Sequence, residues 1–188
     1  MENPPKGKTL VSHNYRVVDV FTREPLQGNQ LAVFPDASGM TQQTMQSIAK
    51  ELNLSETTFV SPPSRADCAA NVRIFTPLKE VLFAGHPTIG TAFVMIDEGM
   101  VSNNMTRFTL EEKVGPVPVR VEPGQSPLIW LTTPPVKFRN LHERQQCATV
   151  LGLEVSDLLD MEPQLVDAGN PTVFVALKDK DAVDRNPL

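Results

Sequence analysis

Residues 84–100, AGHPTIGTAFVMIDEGM, are the most informative segment of the sequence. Pro87 directly follows a Gly-His pair, and proline is favoured at the first position of a helix. From Thr88 to Ile96 nearly every residue is small or apolar, and a helix that is apolar on all sides is a buried one. Gly99 is placed to end this helix as a C-terminal cap. The segment therefore predicts a helix in the centre of the fold.

Short segments rich in β-branched residues surround this helix, and such segments bounded by turns are typical of strands. We predict strands at Tyr15–Phe21, Gln30–Phe34, Thr57–Val60 and Ala70–Phe75 before the helix, and at residues 107–112, 117–122 and 127–132 after it. Residues 41–53 carry apolar side chains at helical spacing, with Thr41 as the N-cap. Strands at close spacing around two buried helices predict an α+β fold in which a sheet curls round a helix.

The composition along the chain predicts a division into three parts. Residues 1–12 are polar and rich in proline, lysine and glycine, which is typical of a disordered arm. The segment EPGQSP, residues 122–127, marks a boundary between a first domain at residues 13–122 and a second one at residues 123–188. The second part contains a predicted helix at Leu141–Leu151 and few strands, so it would bury little apolar surface alone. We therefore expect it to pair with another chain or to continue beyond residue 188.

Charge and cysteine usage limit the classes of function. A net charge of −5 without a lysine or arginine cluster argues against a nucleic-acid partner. No apolar run reaches the roughly 18 residues of a membrane span, so we expect no membrane partner and a cytoplasmic location. Cys68 and Cys147 lack the spacing of a disulfide framework or a zinc site, and the three histidines have no carboxylate at ligand spacing. We therefore predict no metal site.

Glu56 is the first candidate for a chemical role. It lies in LSETTFV, where a predicted helix ends and a strand begins. A carboxylate at such an end can be held beside a pocket and partly desolvated, as a general acid or base requires. The alternative interpretation is that Glu56 only begins a strand at the surface.

The Gly85-His86-Pro87 corner is the stronger candidate. The free amides of a first helical turn carry a partial positive charge and bind carboxylate or phosphate. Gly85 would let a ligand approach the backbone closely, and His86 can donate a hydrogen bond or transfer a proton near neutral pH. The alternative interpretation makes His86 a simple helix cap.

Asn29 and Ser55 lie beside predicted turns, and the sequence alone leaves their roles open. Asn29 follows Gly28 in a QGN turn that it can simply stabilise. Ser55 has no histidine and acid at the spacing of a hydrolase triad, and no GxGxxG or GK[ST] motif supports nucleotide binding. By elimination, we predict acid–base chemistry without a cofactor.

Three blocks in series resemble the phenazine-biosynthesis PhzF-like family. They are VVDVFTREPLQGNQLAVFPDA at residues 17–37, LNLSETTFV at 52–60 and VRIFTPLKEVLFAGHPTIGTA at 72–92. Later blocks, GPVPVRVE, PLIWLTTPP and DAGNPTVFVAL, are similar to the family as well. The resemblance extends from Tyr15 to about Val183.

This resemblance implies a diaminopimelate-epimerase-like fold of two similar domains, each a sheet curled round a central helix. It implies that Glu56 is the catalytic acid–base, and that Gly85 and His86 bind the substrate, with backbone amides holding its carboxylate. Asn29 and Ser55 are predicted to complete the substrate-binding residues. A homodimer and the absence of a cofactor are further expectations from the family.

The chain departs from the family pattern in three places. It has Gly28-Asn29-Gln30 where the family has GNP, and Glu80-Val81-Leu82-Phe83 where the family has ELPF. The aspartate-bearing block of the second domain is absent, and we therefore expect that domain to be incomplete.

The leading hypothesis is a cofactor-independent isomerase or epimerase that moves a proton on a small carboxylated substrate. The alternative is a catalytically silent PhzF-like fragment that binds a ligand or a partner chain.

Overall fold

The computed structural model describes residues 12–102, 104–124 and 127–185. The predicted disordered arm, apart from Ser12, lies outside these residues. The described chain divides into two compact units, the first extending to Thr132 and the second beginning at Thr133. This division falls later than the boundary predicted at residue 122, because the strand that follows the EPGQSP segment pairs with the sheet of the first unit.

The first unit contains most of the regular structure. Its strands are β1 Arg16–Val20, β2 Asn29–Phe34, β3 Glu56–Ser61, β4 Ala70–Phe75, β5 Glu80–Val81, β6 Arg107–Glu112, β7 Gly115–Glu122 and β8 Leu128–Leu131, and its helices are α1 Gln42–Leu52 and α2 Gly85–Asp97. Among the described residues the strands form one sheet in the order β1-β2-β3-β4-β6-β7-β8, with β5 paired to β4. β2 runs parallel to β3 and β4 parallel to β6, whereas the other pairs are antiparallel.

Helix α2 packs against the inner face of this curled sheet. Its buried residues are Pro87, Thr88, Gly90, Thr91, Ala92, Val94 and Met95. Of these, Ala92, Val94 and Met95 join Leu31 and Val33 of β2 and Val72 and Ile74 of β4 in the main core cluster. A buried hydrogen bond of 2.8 Å between the hydroxyl oxygens of Thr58 and Thr91 ties the helix to β3. The predicted α+β fold, with a sheet curled round a central helix, is confirmed.

Helix α1 covers the other face of the same sheet. Met45 and Ala49 on α1 pack with Phe34, Phe59 and Phe75, which alternate with the residues that face α2. As predicted, Thr41 caps the helix, and its hydroxyl oxygen accepts a hydrogen bond from the amide of Thr44 at 3.1 Å. Strand β3 is therefore buried on both faces.

The second unit is smaller. It contains β9 Lys137–Leu141, α3 Arg144–Leu151, a 3-10 turn at Val155–Asp157, β10 Gln164–Asp167, β11 Pro171–Phe174 and α4 Lys180–Asp184. The strands form a sheet in the order β11-β10-β9. The helix predicted from Leu141 begins only at Arg144, because Leu141 ends β9 and pairs with Gln164. No helix within the described ranges has the length and apolarity needed to cross a membrane.

Candidate active site

Two parallel strands begin side by side at one edge of the first unit. Leu31 of β2 lies opposite Glu56 of β3, so the residues at the start of each strand are neighbours. Here the hydroxyl group of Ser55 donates a hydrogen bond of 3.1 Å to the side-chain oxygen of Asn29. Both side chains are exposed, and the structure brings these two predicted binding residues together at the edge from which Glu56 projects.

The N-terminus of α2 carries free backbone donors. The residue before the helix, Ala84, provides no side-chain cap, and the first turn contains no acidic residue. The amide of Thr88 donates to the carbonyl oxygen of Ala84 at 3.2 Å, but the amides of Gly85 and His86 donate to no described residue. The partial positive charge of this helix end is therefore available to an anion.

Gly85 leaves open space at this helix end. A Cβ atom placed on Gly85 would have no heavy atom within 4 Å. The glycine is therefore not needed for packing within the described chain. It does allow a ligand to approach the amides of the first turn.

Glu56 and His86 lie against each other at the same place. Their side chains are 19% and 10% exposed, and Glu56 Oε2 is 3.3 Å from His86 Nε2. The two atoms are not aligned as a hydrogen bond, and neither has a hydrogen-bond partner among the described residues. These two polar atoms, buried and without hydrogen-bond partners, are placed to interact with a ligand.

The surroundings of His86 favour its neutral form. Burial lowers the pKa of His86, an effect that the charge of Glu56 and a hydrogen bond to the Gln30 backbone partly offset. Nε2 is the nitrogen beside Glu56 and has no hydrogen-bond partner among the described residues, so a neutral ring can present its Nε2 lone pair to the carboxyl group. A carboxyl group that has taken up a proton could therefore donate a hydrogen bond to His86 Nε2.

Phe21 borders the site on one side. It has a φ angle of 67° and a side chain that is 72% exposed, and its ring meets the His86 ring edge-on with centroids 6.5 Å apart. Phe21 also lines a groove of about 770 Å³ between β1, α2 and β8. Glu56, Gly85 and His86 do not line this groove, so the candidate site lies beside it.

Comparison with known proteins places these residues in a family. The family model described as phenazine biosynthesis-like protein matches residues 18–186. The chain belongs to this phenazine biosynthesis-like family. Over 110 residues it is 46% identical to the trans-2,3-dihydro-3-hydroxyanthranilate isomerase of Pseudomonas aeruginosa, a match that covers 58% of this chain.

Solved structures of similar proteins share the fold. A predicted epimerase from Pseudomonas aeruginosa superposes with a TM-score of 0.83 at 30% identity over 93% of this chain. A PhzF-family protein from Bacillus anthracis gives a TM-score of 0.78 at 30% identity over 92% of the chain. The fold is therefore of the diaminopimelate-epimerase-like type. The matches cover 38% of the isomerase and 62% and 58% of the two solved chains, so this chain spans less than two thirds of each.

The structure adds residues to this site that sequence reasoning missed. The Gln30 backbone helps to counter the lowering of the His86 pKa, and the buried carboxyl group of Glu112 is hydrogen-bonded to Thr88 in the first turn of α2. A signal for Glu112 was present, because Phe108, Leu110 and Glu112 alternate along β6 and share its buried face. No group of three or more histidine, cysteine or acidic side chains that could hold a metal ion occurs in the described part of the chain.

Proposed function

We propose that this chain is a cofactor-independent isomerase or epimerase acting on small carboxylated substrates, with Glu56 as the general acid–base. One observation carries the proposal: the carboxyl group of Glu56 lies 3.3 Å from His86 at the uncapped N-terminus of α2. A proton-transfer group and an anion-binding helix end are thereby side by side.

The helix end would bind the carboxylate of the substrate. The amides of Gly85 and His86 are free to donate to it, and no acidic side chain in the first turn competes. The open space beside Gly85 admits the carboxylate to these amides. The Asn29–Ser55 pair, exposed at the neighbouring strand ends, would hydrogen-bond a second polar group of the substrate.

Glu56 would then carry one proton between two positions. Its carboxylate removes a proton from a substrate carbon, so that a C–H bond breaks, a carboxyl O–H bond forms and the electron pair moves into the conjugated system of the substrate. Return of the proton to another carbon, or to the other face of the same carbon, restores the carboxylate. No electrons are gained or lost overall. His86 Nε2 would accept a hydrogen bond from Glu56 while the carboxyl group holds the proton.

The name of the Pseudomonas aeruginosa relative suggests the first compound to test, trans-2,3-dihydro-3-hydroxyanthranilate. Its carboxylate fits an anion-binding helix end. Incubation of the chain with this compound in D₂O, followed by chromatography coupled to mass spectrometry, would detect isomerisation as a change in retention and exchange of the mobile proton as a gain in mass.

Glu56→Gln tests the role of the carboxyl group directly. Because an amide cannot take up the proton, we expect turnover and exchange to fall by about 10²–10⁴-fold, the usual contribution of a general acid–base. Glu51→Gln in α1, an exposed glutamate outside the site, is the matched control and should retain full activity. A fully active Glu56→Gln variant with unchanged folding would exclude Glu56 as the general acid–base.

A second candidate function is binding without catalysis. Large apolar side chains are exposed in the second unit, including Phe138 at 71% and Phe174 at 60%, and such side chains are typical of surfaces that contact a partner. A chain that binds the test compound or a partner chain but exchanges no proton in D₂O would support this function over the isomerase.

A further inference from the structure

The carboxyl group of Glu112 is buried beside the first turn of α2 and takes no part in the proposed proton transfer. Glu112 is only 4% exposed. Its Oε1 lies 2.6 Å from the hydroxyl oxygen of Thr88, which in turn lies 2.7 Å from the carbonyl oxygen of Ala84. Its Oε2 has no hydrogen-bond partner within the described residues.

The hydrogen atoms available to Thr88, Ala84 and Glu112 fit the protonated form of the Glu112 carboxyl group better than the ionised form. The hydroxyl group of Thr88 has one hydrogen atom to donate, and the carbonyl oxygen of Ala84 can only accept. If Thr88 donates to Ala84, the short contact with Glu112 needs a hydrogen atom from the carboxylic acid. Oε2 is buried with no donor in either form, and this costs much more when the carboxyl group is ionised than when it is a neutral acid. The contacts are satisfied together when Glu112 is protonated.

We propose that Glu112, in its protonated form, is a positioning residue that acts through Thr88 to hold the first turn of α2 in place for the substrate carboxylate. Ionisation would turn the Thr88 hydroxyl group toward Glu112 and remove its bond to Ala84, the N-cap residue of α2. The next two residues, Gly85 and His86, carry the free amides. The role of these amides in substrate binding rests on the proposed function, whereas the hydrogen-bond chain does not.

The electrostatic surroundings agree with a neutral Glu112. Burial raises its pKa to about 7, against which the Thr88 hydrogen bond acts only in part. The charged groups on adjacent elements have other partners: Glu111 binds Ser64 and Arg65, Lys113 binds Glu80, which also binds Arg73, and His86 faces Glu56. In the described structure the pKa of Glu112 is thus governed by burial and by Thr88.

Backbone NMR of the 188-residue chain without substrate tests the proposal. The amide resonances of Gly85 and His86 should shift in a step with a midpoint near pH 7, as Glu112 ionises. Glu112→Gln keeps a donor toward Thr88 but cannot ionise, so this step should be lost. Titration of His86 itself, whose pKa is lowered from 6.5, gives a separate step at lower pH that remains in this variant and serves as an internal reference.

Thr88 variants test whether the effect passes through the hydroxyl group. Thr88→Val removes the relay and should abolish the step near pH 7, whereas Thr88→Ser retains the hydroxyl group and should keep it. This pair decides the question even if Glu112→Gln does not fold. A step that persists in Glu112→Gln or Thr88→Val, or that is absent from the wild-type chain, would overturn the proposal.

The same measurements separate this proposal from the proposed function. The NMR steps need no substrate and no turnover, so they would be seen even if the chain proved inactive in D₂O. Conversely, an active chain whose Gly85 and His86 amides do not respond to Glu112 would retain the isomerase function and lose the positioning role.

Discussion

Gly85 lacks a side chain at a point where packing does not require a glycine. A Cβ atom there would meet no heavy atom within 4 Å, so Gly85→Ala should leave the free energy of unfolding unchanged or raise it by about 0.4–1 kcal/mol. The added methyl group would, however, occupy the space in which we place the substrate carboxylate. We expect an at least tenfold loss of affinity for a carboxylated substrate, measured by calorimetric titration. Unchanged affinity would show that the carboxylate binds elsewhere.

Single residues of the site could be predicted to different extents. Gly85 and His86 are predicted both by helix-start chemistry and by the family resemblance, whereas Glu56 is predicted by its place between a helix and a strand and by the resemblance. Their contact could not be derived from spacing alone, because it depends on the register of β2 and β3 and on the angle of α2. Glu112 was missed because a charged residue at the end of a strand is usually exposed, although its position in the alternation of β6 indicated burial.

Helix α2 depends on Gly90 for its close approach to the sheet. A Cβ atom there would lie 2.6 Å from Leu31 Cδ2 and 2.8 Å from Val20 Cγ2, and both side chains are buried in the core. Gly90→Ala should therefore destabilise the fold by about 1–3 kcal/mol through overpacking. Chemical denaturation would measure this loss, with Gly85→Ala in the same helix as the matched control. Equal stability of the two variants would contradict the close packing described here.

Helices and strands with a buried face were predicted more accurately than those that are exposed. Strand β4 was predicted at Ala70–Phe75, where it lies, and α2 was recognised because an apolar helix must be buried. In the second unit, all residues of β9 are exposed, so no alternation marked Lys137–Leu141 as a strand. The helix start was consequently placed at Leu141, three residues before Arg144. Weak burial, and not an unusual turn, explains this error.

The stability of the whole molecule should depend on pH through Glu112. Folding raises the pKa of its carboxyl group from 4.5 to about 7, so between these values the folded chain binds more protons than the unfolded one. The free energy of unfolding should then fall as pH rises through this range, by at most ~3 kcal/mol, and stay constant with respect to Glu112 above it. His86, whose pKa is lowered, has the opposite effect just below pH 6.5.

Comparison of the wild-type chain with Glu112→Gln isolates the contribution of Glu112, because His86 is present in both. Melting temperatures measured from pH 5 to pH 8 should fall more steeply in the wild type. Parallel curves for the two proteins would mean that Glu112 ionises as it does in the unfolded chain.

We propose that the chain forms a homodimer through its second unit. Phe138 lies opposite Val166, and Val166 lies opposite Thr172, so the register places Phe138 and Phe174 on one face of this sheet. Both are more than half exposed, at 71% and 60%, and an apolar surface of this kind is stabilised by contact with a partner. Light scattering should give about twice the 20.7 kDa of one chain.

Substitutions of exposed apolar residues test whether this face of the second unit forms the dimer interface. Phe138→Ser should shift the molar mass toward one chain at micromolar concentration, because the dimer loses apolar area on both copies. Leu78→Ser, at a side chain of the first unit that is 91% exposed, removes a similar apolar group elsewhere and should leave the dimer intact. A wild-type chain that stays at 20.7 kDa at all concentrations would exclude the homodimer, and the exposed phenylalanines would then be available to a different partner.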